Sequence, residues 1–121
     1  MSRSKHYYNY IIDIFDRIER IKNKTKQTSF ENFIENSDFQ EIIEYNLLII
    51  GEAVSKIPSE VLIKYNSDPL YWRQIKDMRN FLIHQYWGVS LEMVYQVATV
   101  DILDLEKFIE KMIIKEKENL E

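Results

Sequence analysis

Apolar residues along this chain recur every three or four positions, a period that predicts helices almost from end to end. Over Lys5 to Lys24, Tyr8, Ile11, Ile12, Phe15 and Ile18 share one face, while Asp13, Arg17 and Arg20 fall elsewhere. The polar run Asn23-Lys24-Thr25-Lys26-Gln27-Thr28 breaks that pattern. Thr28 with Glu31 has capping-box spacing and opens a short helix through Phe30, Phe33 and Ile34. Ser37 with Gln40 repeats the spacing and opens the most apolar helix, about Asp38 to Lys56. Its stripe is Phe39, Ile42, Ile43, Asn46, Ile50, Ala53 and Val54. Leu47, Leu48 and Ile49 widen the apolar arc, so this helix should be central. Pro58 closes it.

Ser67-Asp68-Pro69 starts a third long helix that runs to near His84, with Trp87-Gly88 at its end. Ser90 caps a last helix to about Lys115, with Leu91, Val94, Ala98, Ile102, Leu105, Ile109 and Met112 inward. Residues 115–121 are expected to fray as a tail. The prediction is an all-α, up-and-down bundle of four to five helices, one domain over 1–121 without internal repeats.

Composition sharpens this picture. Two glycines and two prolines in 121 residues leave little for hairpins or phosphate-cradling loops. The absence of cysteine removes disulfides, thiolate metal sites and a thiol nucleophile, and only His6 and His84 remain for a histidine-based metal site. The start MSRSKHYYNY holds no apolar run of a secretory signal, and the longest apolar stretch, Leu47 to Ile50, is far short of a membrane span. A soluble, cytoplasmic protein without membrane contact is expected. The net charge of −4 hides an uneven distribution. Residues 1–28 carry seven Lys/Arg against three acids, and residues 29–60 carry one against seven. Arg17, Arg20, Lys22, Lys24 and Lys26 could therefore track an RNA backbone or simply form a solvated face.

His84 is the leading titratable candidate, because histidine alone changes charge near neutrality unperturbed. In the pattern R-x4-H-x-Y (Arg79, His84, Tyr86), arginine and tyrosine lie about 20° apart in helical projection and His84 about 140° from Arg79. Convergence needs unwinding near His84, which Gly88 permits, or a second subunit. His6 reads as solvated surface, and Tyr71 and Trp72 read as core at helical spacing or as base-stacking groups. Glu52 has no titrating partner nearby in sequence. Asn46, Glu52 and Asp101 lie on or beside apolar stripes, as a polar network or as helix edges.

The stretches Trp72-Arg73-Gln74-Ile75 and Met78-Arg79-Asn80-Phe81-Leu82-Ile83-His84-Gln85-Tyr86-Trp87-Gly88-Val89 closely resemble the HepT group of HEPN-domain proteins. Asn46-Leu47-Leu48-Ile49-Ile50-Gly51-Glu52-Ala53 resembles that group's second signature, in register with the first. Gln85 stands where the group often has glycine. The resemblance implies a HEPN-like dimeric bundle and the toxin half of a type VII-like toxin–antitoxin pair. It implies a metal-independent endoribonuclease with no cofactor, Arg79 and His84 matching the catalytic pair and Asn80 the supporting polar position. Tyr86 matches a tyrosine adenylylated by a partner MNT-type nucleotidyltransferase antitoxin. Arg17, Arg20 and Lys24, with Arg73 of the first stretch, are candidate RNA contacts. Two other readings stay open, a non-catalytic RNA- or partner-binding module that docks the nucleotidyltransferase and a structural helical adaptor.

Overall fold

A computed structural model describes the backbone over residues 2–83 and 90–120, and side chains over 7–82 and 90–120. The described residues form seven α-helical segments and no strand: α1 (Ser2–Thr25), α2 (Phe30–Glu35), α3 (Ser37–Ser55), α4 (Ser59–Leu62), α5 (Pro69–Ile83), α6 (Leu91–Gln96) and α7 (Ile102–Leu120). A π-helical turn, Val97–Asp101, fuses α6 to α7. Four long rods thus make the predicted all-α bundle, and α2 and α4 are short inserts. Tyr7 with Glu116 and Lys22 with Glu106 set α1 antiparallel to α7, while Arg17–Asn46 and Tyr71–Phe108 join α1 to α3 and α5 to α7. Among the described residues, no helix is long and apolar enough to cross a membrane.

The core-facing stripe of α1 is Tyr7, Ile11, Ile14, Ile18 and Ile21, all buried. This corrects the expected face. Tyr8 and Phe15 only flank the core, and Ile12 is exposed. Adjacent apolar pairs (Tyr7/Tyr8, Ile11/Ile12, Ile14/Phe15) offer two stripes about 100° apart. Ile21 extends the first stripe, whereas Glu19 and Lys22 end the second. In α3, Ile43, Asn46, Leu47, Ile50, Gly51, Ala53 and Val54 are buried, so the helix is central as expected, while Ile42 turns outward.

Both helix starts fall one residue from the predicted caps. Ser29, not Thr28, caps α2, its side chain accepting from the Asn32 N–H at 3.2 Å. Asn36, not Ser37, caps α3 through Oδ1 to the Phe39 N–H at 3.0 Å. Gln40 turns backward and donates to the carbonyls of Phe33 and Ile34, which end α2. Ser90 caps α6 as predicted, accepting from the Met93 N–H.

At the π turn the Ile102 N–H reaches back to the Val97 carbonyl, absorbing one extra residue where α6 meets α7. The apolar stripe continues across it, and Val94, Ala98, Ile102, Leu105, Ile109 and Met112 are all buried.

Residues 115–120, expected as a fraying tail, belong to α7 and carry Glu116 into the bundle, 1% exposed. Its carboxylate accepts from the Tyr7 hydroxyl at 2.5 Å, the Tyr65 hydroxyl, Lys64 Nζ at 3.0 Å and Asn119 Nδ2 at 3.2 Å. Burial pushes the carboxyl's pKa up, but the donors, led by Tyr65 and Tyr7, outweigh it and hold it down at about 2. Burial, then the Glu116 contact, pushes the Tyr7 phenol up to about 12.

A depressed folded pKa gives stability that is present above the unfolded value of about 4.3 and lost as pH falls toward about 2. The prediction is that Glu116→Gln costs about 3 kcal/mol in urea unfolding at pH 7 and much less at pH 3. A deficit that stays constant across that range would contradict the assigned role.

Candidate active site

α5 lies against α3, and their closest approach is at Gly51. A β-carbon there would stand 3.0 Å from the Ile75 carbonyl oxygen, 3.3 Å from the Arg79 nitrogen and 3.4 Å from Arg79 Cβ. All three neighbours belong to the backbone or first side-chain carbon of α5, so none can swing aside. Gly51 therefore sets how closely the segment carrying Arg79 approaches the bundle. The sequence had placed this glycine in the second signature.

The next residue uses that proximity. Glu52 Oε1 meets Arg79 Nε at 2.6 Å. The side chains are 40% and 41% exposed, so water screens the pair and its contribution to stability is at most about 1 kcal/mol. Its main effect is orientation. A carboxylate on Nε fixes one edge of the planar guanidinium. Among the described residues, Nη1 makes a long 3.4 Å contact with Asn80 Oδ1. The sequence singled out Glu52 but showed no partner for it, because that partner, Arg79, lies on another helix, 27 positions away.

His84 and Tyr86, like Gln85, Trp87 and Gly88, lie outside the described residues, so the structure positions only Arg79 and Asn80 of the motif. The side chain of His6 is likewise outside them. Of the candidate RNA contacts, Arg17 donates from Nη1 to Asn46 Oδ1 at 3.1 Å and lies 5.4 Å from the Tyr45 ring centre. Arg20 pairs with Asp16 at 2.9 Å on the surface. Arg20 and Lys24 line one groove with Asn46, whereas Arg73 lines another beside α4. The four cations therefore do not form a single patch.

Tyr71 and Trp72 pack at 5.0 Å and both meet Phe108, and Trp72 is buried with Nε1 donating to the Asn66 carbonyl. They are core groups. Asn46, Glu52 and Asp101 do not form one network. Asn46 is buried and bonded to Arg17 and to the Ile42 carbonyl, Glu52 holds Arg79, and Asp101 lines a groove between α5 and α7.

A helical bundle in which α3 presses a Gly-Glu pair against the arginine of α5 is a HEPN-like architecture. The family model described as "Ribonuclease HepT-like" matches residues 14–112, and the chain belongs to this family. Relatives include an RNase candidate of Methanocaldococcus jannaschii, 36% identical over 104 residues covering 86% of this chain and 84% of that protein. A second RNase candidate from the same archaeon is 38% identical over 86% of this chain and 88% of its own length. A protein of Thermococcus cleftensis named probable ribonuclease HepT is 34% identical over 93% of this chain and 98% of its own. No solved structure matches the chain.

The Gly51 contact predicts that Gly51→Val costs about 1–3 kcal/mol by overpacking a backbone crossing. Urea unfolding measures it, and an unchanged midpoint would show that α5 can retreat without loss.

Proposed function

We propose that this protein is a metal-independent endoribonuclease, the toxin half of a toxin–antitoxin pair, which cuts cellular RNA through the R-x4-H-x-Y motif in a cleft shared by two copies of the chain. The observation that carries this reading is the Glu52–Arg79 pair, which orients a permanently charged fork at the motif's first position. Family membership and the ribonuclease names of the relatives support RNA as substrate.

In this mechanism a base takes the ribose 2′-hydroxyl proton, the 2′ oxygen attacks phosphorus, and the bond to the 5′ oxygen breaks. An acid returns a proton to that leaving oxygen, giving a 2′,3′-cyclic phosphate and a 5′-hydroxyl. His84 of one subunit serves as base and His84 of the other as acid, a pairing suited to a group that titrates near neutrality. Arg79 stabilises the extra charge on the pentacoordinate phosphorus through its terminal nitrogens, with Asn80 beside it. Adenylylation of Tyr86 by a nucleotidyltransferase partner would add a phosphate and an adenosine to the cleft and exclude RNA by repulsion and bulk. A cytoplasmic location fits an RNA substrate.

One observation favours a second reading. Arg79 already has an intrachain partner in Glu52, as it would in a purely structural helical adaptor.

The test incubates purified protein with tRNA and messenger RNA and maps the new ends. Wild type is expected to leave cyclic-phosphate ends. His84→Ala and Arg79→Ala should lose about 100-fold or more, and protein adenylylated at Tyr86 should be inactive. Glu52→Gln, which removes the orienting charge but keeps the shape, should lower kcat about 10-fold while changing stability by less than about 1 kcal/mol. Full activity in His84→Ala would sink the mechanism. No cleavage even at stoichiometric protein, with a stable nucleotidyltransferase complex, would favour the docking module.

A further inference from the structure

A groove runs between the C-terminal part of α1 and the N-terminal half of α3, lined by Arg20, Asn23, Lys24, Gln27, Phe39 and Asn46, with Thr28 and Ile42 completing it. Its volume is about 550 Å³, within the usual range for small-ligand sites. The lining contains two cations and no carboxylate. The nearby acids of α1 are already engaged, Asp16 with Arg20 and Glu19 with Lys22.

The two walls differ in chemistry. On α1, Asn23 and Lys24 stand three and four residues after Arg20 and share its face, and Gln27 follows just past the helix end, making a row of amides and cations. On α3, Phe39 and Ile42 offer an apolar wall ending at the buried amide of Asn46. One side of the Phe39 ring is held by an edge contact with Phe33 at 5.6 Å, which fixes its plane. Cations that follow a backbone, together with an aromatic wall on which a base can stack, are the equipment of single-strand binding. Amides beside that wall can pair with a base edge.

We propose that this α1–α3 groove is an RNA-binding subsite, holding a single-stranded segment adjacent to the one being cut. Arg20 and Lys24 contact phosphates, Phe39 stacks on a base, and Asn23 and Gln27 bond its edge. α3 carries a residue of each site, Asn46 of the groove and Glu52 at Arg79, about 9 Å apart along the axis and about 120° apart around it. The proposal rests on the ribonuclease reading for its choice of ligand, but its test does not depend on cleavage.

The probe is a fluorescent single-stranded RNA of about 12 nucleotides with 2′-O-methyl riboses, which cannot be cut. Binding to the full chain is measured over a salt series. Arg20→Ala/Lys24→Ala removes two exposed cations and should weaken binding about 10-fold at low salt. It should also flatten the slope of log K against log salt by about 1.4, two contacts at about 0.7 each. Phe39→Leu should weaken binding with the slope unchanged. Lys111→Ala, an exposed cation on α7, should match wild type. An unaltered slope in the double variant, or an equal effect per charge in Lys111→Ala, overturns the groove even if the protein cuts RNA. A groove-dependent slope in a protein that cuts no RNA supports the groove and overturns the ribonuclease reading instead.

Discussion

The candidate site depends on a missing methyl group. At Gly51 the backbones of α3 and α5 approach until a β-carbon would touch the Ile75 carbonyl at 3.0 Å. Few residues carry such a contact, because protein interiors are close-packed and α5 is held along its length by Ile75, Met78 and the buried Trp72 and Leu82. With the spacing set, a side chain as short as glutamate can reach across from position 52 to the guanidinium of Arg79. A wider gap would leave Arg79 as one more flexible surface cation, with no fixed direction for its fork. Backbone approach is thus converted into side-chain orientation, and orientation is what charge stabilisation at a reacting phosphate requires.

Much of the fold was legible in the sequence, since a 3.6-residue apolar period with few glycines and prolines admits little besides a helical bundle. Errors arose where two local patterns competed. Paired apolar residues in α1 offered two faces, and the burial of Ile14 and Ile21 settles between them. The caps of α2 and α3 fell one residue off because the side chain that reaches the N–H three residues on is that of Ser29 and of Asn36, a geometry the residue types alone do not fix. The π turn between α6 and α7 had no sequence signal, since four-residue apolar spacing is equally at home in the regular α3.

The site was less legible, for a different reason. Sequence motifs report residues that act together within one segment, so Arg79 and Asn80 were evident while Glu52 stood in a signature without a partner. Its role exists only once α3 and α5 are packed. The buried Glu116 cluster was hidden in the same way. A charge run near the chain end reads as a tail until Tyr7, Lys64 and Tyr65 converge on one of its carboxylates from two other parts of the chain. The local net charge does not count partners, and Lys22 is paired with Glu106 at 2.7 Å and Arg20 with Asp16.

Removing those commitments changes what the basic N-terminal segment means. Of its cations, Arg17 serves mainly to anchor α1 on Asn46, and Lys22 joins α1 to α7. Lys24 and the outer edge of Arg20 remain directed at a groove whose other wall is aromatic and apolar. The whole-chain charge of −4 argues weakly against RNA, because long-range fields from separated charges are screened within about 10 Å at ordinary salt. A strand in the proposed groove would meet the local surface, the cations and amides beside α1, while the oriented arginine lies round the other side of α3. The central apolar helix therefore does more than fill the core. Its rigidity fixes how the α1–α3 groove and Arg79 are placed relative to each other.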